Sequence, residues 1–518
     1  MQTERDLKEL ESEIRKAIRQ FSSDNILLAI RNALSDLRKE NSIGHRFFAK
    51  DQVDFPPFVA AGIAAFSIMH SNPNRDRPNV TWENLAKLAG MVRNYLLADP
   101  ISFDETIREE FDASNPVFVM LRIVSSQFPF EVNLFGCHAQ PLILFGKIAK
   151  EITSRKGVPE FDFDAEFQKV TGVSLEKFVD VGFVAWAATE GTNGFTRGYF
   201  RKAQDQGINV PDDETISQIL EQVAADPVSF REEYEKRKER DRRFQMYDFN
   251  PLFSFPILRP WKYHNGIQID RDRMVAPIPD LVAYRFSTGI FYQMFNACGV
   301  RFSDYFGHLF EAYVGEILKQ SVSNGTLVSE EDIRLTYPEK NRRVPDWIVI
   351  DGATAILIEC KATRFSRAAS ATGAETAIND SLKQVLKGLR QLDEFRQALQ
   401  ARAPGLEMLH RCTTFKPILV SFEPLYLVDS PLFRQHIDHL LAAEGVTGLP
   451  WRILSLKELE AFQPHMSAGV RLAEITQGME NGTFSLEKVS ALTGRTYKDS
   501  FLYKSDEEMY RRLGIAGR

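Results

Sequence analysis

The chain has 518 residues, 44% hydrophobic and 26% charged, with a formal net charge of −6. It is too long for one ordinary domain, and its composition is that of a globular protein rather than a disordered or fibrous one. The charge excludes a dedicated nucleic-acid coat, and four widely spaced cysteines without a Cys-x-x-Cys pair indicate neither a zinc site nor a disulfide framework.

In chain order, Thr3 to Phe21 reads as an amphipathic helix with Leu7, Leu10, Ile14 and Ile18 on one side. That face is expected to pack on the rest of the chain or on a second copy, so a homo-oligomer or a partner protein is one expectation. Further helices are expected over Asn25 to Lys39, from Pro56-Pro57 onward, and over Trp82 to Ala98 behind a Thr81 cap. Pro116 to Ser126, Ala139 to Thr153 and Ser174 to Glu190 continue the pattern, and no repeat of fixed period appears. Residues 1–245 therefore read as a mostly helical region for sensing, recognition or assembly. Its Gly146-Lys147 pair is followed by Ile148 where a phosphate loop needs Ser or Thr, so ATP-driven chemistry is not expected. Phe230 to Phe244 is a charge-dense, exposed helix. Residues 246–300 turn rich in aromatics and proline and read as a connecting segment of strands and extended chain. No signal peptide is visible, and apolar runs such as Phe58 to Met69 are too short to span a bilayer, so a cytoplasmic protein without membrane contact is expected.

The most informative stretch is Arg343 to Arg364. Two β-branched runs, Val344 to Ile350 and Ala353 to Cys360, flank Asp351-Gly352 and predict a β-hairpin. Asp346, Glu359 and Lys361 stand in or beside strands that otherwise read as buried, where an uncompensated charge costs several kcal/mol. With Asp351-Gly352 as a two-residue turn, Asp346 faces Leu357 and is a diagonal neighbour of Glu359 at roughly 5–8 Å. A four-residue loop puts Asp346 opposite Glu359, whereas a three-residue loop separates the two onto opposite faces. Two carboxylates so placed suit one Mg²⁺, which polarises a phosphoryl oxygen and acidifies a bound water, and the adjacent Lys361 can stabilise charge on a phosphate.

These residues resemble the PD-(D/E)xK nuclease superfamily: Pro345-Asp346 matches the PD, and Glu359-Cys360-Lys361 the ExK. The resemblance covers 301–463 and implies an α/β restriction-endonuclease-like core, α-β-β-β-α-β, with a mixed sheet flanked by helices. Asp304 to Gln320, with Phe306, Phe310, Tyr313 and Ile317 at helical spacing, is the first helix, with Gly307 and Gly315 allowing close approach to the sheet. Asp332 to Tyr337 is the first strand, Glu375 to Leu399 the second helix, and Ile418 to Phe422 a further strand. Pro431 to Ala443 then reads as a helix, Trp451 to Leu456 as an edge strand, and 464–518 as a small helical extension.

What the resemblance implies for the site is Asp346, Glu359 and Glu311 as ligands of Mg²⁺ or Mn²⁺ and Lys361 as the water-orienting or charge-stabilising group. Gln384 supports them in the place of the Gln-x-x-x-Tyr motif of the RecB-like branch, although position 388 is Gly rather than Tyr. Arg343, Arg364, Arg367, Lys383 and Lys387, with Lys340, Arg342 and Arg390, are expected to line a channel for a polyanion. The implied activity is metal-dependent endonucleolytic cleavage of DNA in prokaryotic anti-phage defence or restriction. The alternatives are an RNase (tRNA included), a branched-DNA repair nuclease, and a non-catalytic nucleic-acid-binding or assembly protein.

Overall fold

The computed structural model describes the chain except residues 1–3, 41–54, 72–76, 99–115, 156, 192–193, 240–241, 262, 265–266, 269–271, 323–324, 338–342, 373, 428–429, 481–485 and 516–518. Most of the described residues are helical, and one five-stranded mixed sheet lies among the helices. Its strands are β1 (Thr326–Ser329), β2 (Trp347–Asp351), β3 (Thr354–Lys361), β4 (Thr414–Ser421) and β5 (Arg452–Ser455), in spatial order 1-2-3-4-5. β1, β2 and β3 pair antiparallel, whereas β3, β4 and β5 pair parallel.

β2 and β3 close through Gly352 at φ 59°, the left-handed conformation that two-residue hairpin turns demand of their first central residue. The turn is one residue later than expected: Asp351 pairs with Thr354 and Ile350 with Ala355. Continued past the strand end, that register sets Asp346 opposite Glu359, as in the four-residue alternative.

Helix α1 (Val300–Ser321) covers one face of the sheet, against Trp347, Val349, Ile356, Ile358, Ile418 and Val420. The opposite face, with Ile348, Ile350, Leu357, Leu419 and Ile453, packs in a second core with the helix that follows β3. Burial on both faces explains why β3 reads as a continuous apolar run. Of the two glycines of α1, only Gly315 permits the close approach: an added Cβ would sit 2.0 Å from the Trp347 ring, and Gly307 has open space beside it. Trp347 Nε1 also donates to the Glu311 carbonyl at 3.0 Å, locking α1 to β2. Gly315→Ala is expected to destabilise the protein by about 1–3 kcal/mol through this overlap, read as a lowered midpoint in urea denaturation. An unchanged midpoint would show that the helix–sheet contact can relax freely.

The expected strand at Asp332 to Tyr337 is instead helix α2 (Glu330–Thr336). Ser329 and Asp332 form a reciprocal capping box, which satisfies two orphan amides and starts a helix where a strand was expected. Leu335, in the middle of that stretch, is 84% exposed. Helix α3 (Glu375–Gln400) is the crossover that parallel β3 and β4 require; α4 (Pro431–Ala443) and α5 (Leu456–Ser467) follow, α5 behind a Ser455–Glu458 capping box.

The cores run across the sequence divisions at 245, 300 and 463. Helices Glu4–Ile18, Ser23–Glu40, Pro57–His70 and Trp82–Leu96 share a core with residues from 225–281. Residues from 139–224 join the α1 side of the sheet, together with helices Leu472–Glu480 and Phe501–Arg512. Buried Glu460 ties two of these parts together, accepting from Gln140 at 2.7 Å and Tyr313 at 2.8 Å and pairing with Lys457 at 3.1 Å. The charge-dense helix stops early, spanning Pro227–Arg237. The segment 246–300 is less extended than its prolines implied. Pro279 opens helix Pro279–Arg285, where its fixed φ suits the first turn, and Thr288–Cys298 is a second helix. Among the described residues, no helix is long and apolar enough to cross a membrane.

Candidate metal and active site

The ionisable residues of the hairpin gather at one end of the sheet, where β2 begins and β3 ends. Asp346 precedes β2, and its Oδ2 accepts the Cys360 amide at 2.6 Å. Glu359, 1% exposed, points with Leu357 toward the α3 face. Its Oε1 pairs with Lys361 Nζ and its Oε2 accepts from Gln391 Nε2 at 2.8 Å. Gly388 makes room for this pair: a Cβ there would lie 2.9 Å from Leu419, 3.3 Å from Lys361 and 3.4 Å from Glu359. The glycine that breaks the Gln-x-x-x-Tyr pattern is therefore the point where α3 rests on the site.

Glu311 reaches Asp346 from α1. Carboxylate oxygens of Glu311, Glu330 and Asp346 all lie within 4.8 Å of one another, close enough for one cation with oxygen ligands at about 2.0–2.6 Å to bridge them. Glu330 was not among the expected ligands. It is the first residue of α2, and its amide donates to the Asp346 carbonyl at 2.9 Å, next to the Ser329–Trp347 pair that ends the β1–β2 ladder. Glu359 lies beside this trio, with both its oxygens engaged by Lys361 and Gln391.

Burial, the Asp346 charge and the Glu330 charge push the Glu311 carboxyl up to about 8. Burial raises Asp346 to about 6 even though Lys361 and the Cys360 amide favour its charged form. Burial, then Asp346, carries Glu359 well above the ordinary carboxylate range. At Lys361 burial works downward, but Glu359 and then Asp346 outweigh it and the ammonium is held protonated. The site is thus a cluster of carboxyl groups whose simultaneous ionisation is opposed by burial and by one another, beside one fixed positive group. All the clustered ligand atoms are hard oxygens, which fits Mg²⁺ or Mn²⁺ and not a thiolate-bound metal.

The supporting amide is Gln391 and not Gln384. Gln384 sits on an exposed turn of α3, whereas Gln391, 9% exposed, donates to Glu359 and to the Val344 carbonyl at 3.1 Å. Phe395 stands four residues beyond it, so a Gln-x-x-x-aromatic spacing was present to be found. Gln391→Leu would leave a buried Glu359 oxygen without its donor and is expected to cost about 1–3 kcal/mol, measured by urea denaturation. No loss would mean that the bond is dispensable.

The expected basic channel is only partly gathered. Arg343 approaches the site, its Nη1 lying 3.5 Å from Gln391 Oε1. Lys383 makes an ordinary surface pair with Asp380 at 2.6 Å, and Lys387 is exposed one turn on. Arg390 pairs with Glu444 at 2.9 Å. Arg364 stacks on aromatic rings behind the sheet end. Lys340, Arg342 and the side chain of Arg367 lie outside the described residues. No family model, curated protein or solved structure matches this chain, and the functional reading rests on the geometry of the site together with its motif.

Proposed function

We propose that this chain hydrolyses phosphodiester bonds of nucleic acid, DNA before RNA, with a divalent cation at the sheet end. The observation that carries this reading is the convergence of Glu311, Glu330 and Asp346, from three separate elements, beside the Glu359–Lys361 pair. Ionising this carboxylate cluster without a metal is electrostatically unfavourable, a cost that a bound cation would relieve, and this supports the reading.

Glu311, Glu330 and Asp346 would hold Mg²⁺ or Mn²⁺, which supplies Lewis-acid polarisation of a phosphoryl oxygen and an acidified water. Lys361, kept protonated, is not a base; it offers fixed positive charge to the phosphate as negative charge builds there. Glu359 aims that ammonium, and Gln391 holds Glu359. The assignment to the PD-(D/E)xK nucleases, and with it a place in anti-phage defence or restriction, is supported by Pro345-Asp346 and Glu359-x-Lys361 in the order α1-β1-β2-β3-α3-β4.

The test is cleavage of plasmid DNA, linear duplex, single strands and total RNA with Mg²⁺ or Mn²⁺, comparing wild type with Lys361→Ala. Metal-dependent cleavage lost in the variant is the expected result. Equal cleavage by both proteins would place the activity elsewhere.

A further inference from the structure

A chamber of about 1730 Å³ opens beside this site, beyond the carboxyl ends of the parallel strands β3, β4 and β5. Ala362, next to Lys361, and Ser421, which pairs with Lys361 in the sheet, both line it. Open α/β sheets commonly bind ligands in such a place. Its opposite wall reaches Phe58 and Leu96 in the N-terminal helices.

Two guanidinium groups in its lining are unusual. Arg285 is 7% exposed; its Nε donates to the Ser254 carbonyl at 3.2 Å, but its buried Nη1 has no hydrogen-bond partner. Arg364 lies over the rings of Phe291, Tyr292 and Phe295 at 4.9, 4.8 and 4.6 Å, and its Nη1 is also buried without a partner. Buried guanidinium nitrogens are rarely left unsatisfied, and their natural complement is an anionic oxygen. Six carboxylates also line the chamber, Glu131, Glu233, Asp248, Asp380, Glu423 and Glu458. Glu233 is engaged by Arg237 at 2.7 Å, and half-buried Glu423, which accepts from Tyr292, is the one whose charge acts with Arg364. Much of the remaining lining is aromatic, Phe249, Phe253, Tyr284, Phe365 and Tyr426 among it.

Size narrows the ligand. Pockets for single small molecules occupy about 300–1,000 Å³, well below this volume. A sphere of 1730 Å³ is about 15 Å across, little more than the roughly 12 Å width of one DNA major groove, so a duplex does not fit inside. A single strand does, and its needs are those offered here: faces for bases to stack on and cations for its phosphates. We propose that the chamber receives several nucleotides of a single strand adjoining the scissile phosphate, with Arg364 and Arg285 meeting its phosphates and the aromatic lining its bases. This assigns the substrate class of the site above and rests on the nuclease reading for that purpose alone.

The test is fluorescence anisotropy of the full chain in EDTA, where metal-dependent cleavage is off, with a short labelled single-stranded oligodeoxynucleotide and the corresponding blunt duplex. The single strand is expected to bind at least about tenfold more tightly than the duplex, and Arg364→Gln or Arg285→Gln to weaken it roughly tenfold or more. Gln384→Trp adds bulk at an exposed position of the lining and is expected to weaken binding similarly; it decides the matter should either arginine variant fail to fold. Duplex binding equal to single-strand binding, or affinity untouched by Gln384→Trp, would overturn the proposal. So would saturation by a deoxynucleoside monophosphate with no binding of the strand. Strand binding without cleavage under any metal would sink the nuclease reading and leave the chamber's ligand standing; duplex cleavage without strand binding would do the reverse.

Discussion

Asp346→Asn is expected to reduce metal-dependent cleavage by roughly a hundred- to a thousandfold while leaving the metal-free protein at least as stable as wild type at about pH 8. The two effects separate because the carboxylate and its shape do different jobs. An Asn side chain still presents an oxygen to the Cys360 amide, which Asp346 now accepts at 2.6 Å. It removes a charge that burial and the Glu330 carboxylate work against and that Glu311 feels from across the cluster. What it cannot supply is one of the three anionic ligands. Asp346→Ala would also strand the amide, at a cost of about 1–3 kcal/mol, so the asparagine variant is the cleaner probe. Cleavage rates and melting temperatures in EDTA, taken on the same preparation, check the claim. Retained cleavage, or a large fall in melting temperature, would remove Asp346 from the role given to it.

The second large effect is on pH. Glu311 stands at about 8 against an ordinary 4.5, and Asp346 at about 6 against 3.8. Both are raised on folding, so the stability they contribute is full below their unfolded values and is lost as pH climbs through about 6 and then about 8. The metal-free protein is therefore expected to be less stable at about pH 8.5 than at about pH 5.5, by an amount on the order of a few kcal/mol. A cation reverses the trend, since it binds the ionised carboxylates and displaces their protons. Mn²⁺ is expected to bind more tightly at the higher pH with net proton release, measured by calorimetry in buffers of differing ionisation enthalpy, and to restore the melting temperature lost there. Glu311→Gln should flatten both dependences. Stability that rises from about pH 5.5 to 8.5 in EDTA would contradict the cluster's electrostatics.

Much of this protein is written in local pattern. The hairpin follows from two β-branched runs around a glycine able to adopt positive φ, and α1, α3 and α4 follow from helical spacing and terminal residues; none depends on distant partners. Asp346, Glu359 and Lys361 could be placed together because a hairpin is local and its register is countable. Even there, whether Asp351 belonged to the turn or the ladder shifted every pair, and only the closed hairpin decided it.

What lay beyond sequence reading was the meeting of separate elements. Glu330 is one of several acids in a run, and it meets Asp346 because β1 pairs with β2 up to Ser329–Trp347 and the Ser329 cap then turns the chain into a helix. Gln384 and Gln391 lie on one helix about two turns apart. Which of them touches Glu359 depends on where α3 crosses the sheet, and that is set by Gly388 against Leu419. The chamber has no sequence signature at all, because its walls come from the N-terminal helices, α3 and the ends of three strands. Sequence by itself determined the hairpin strands, helices α1, α3 and α4 and the chemical character of the hairpin, since these are short-range preferences of the backbone and of burial. The tertiary structure alone decided which charges converge and which cations are left facing a cavity, since that is settled by how distant elements pack.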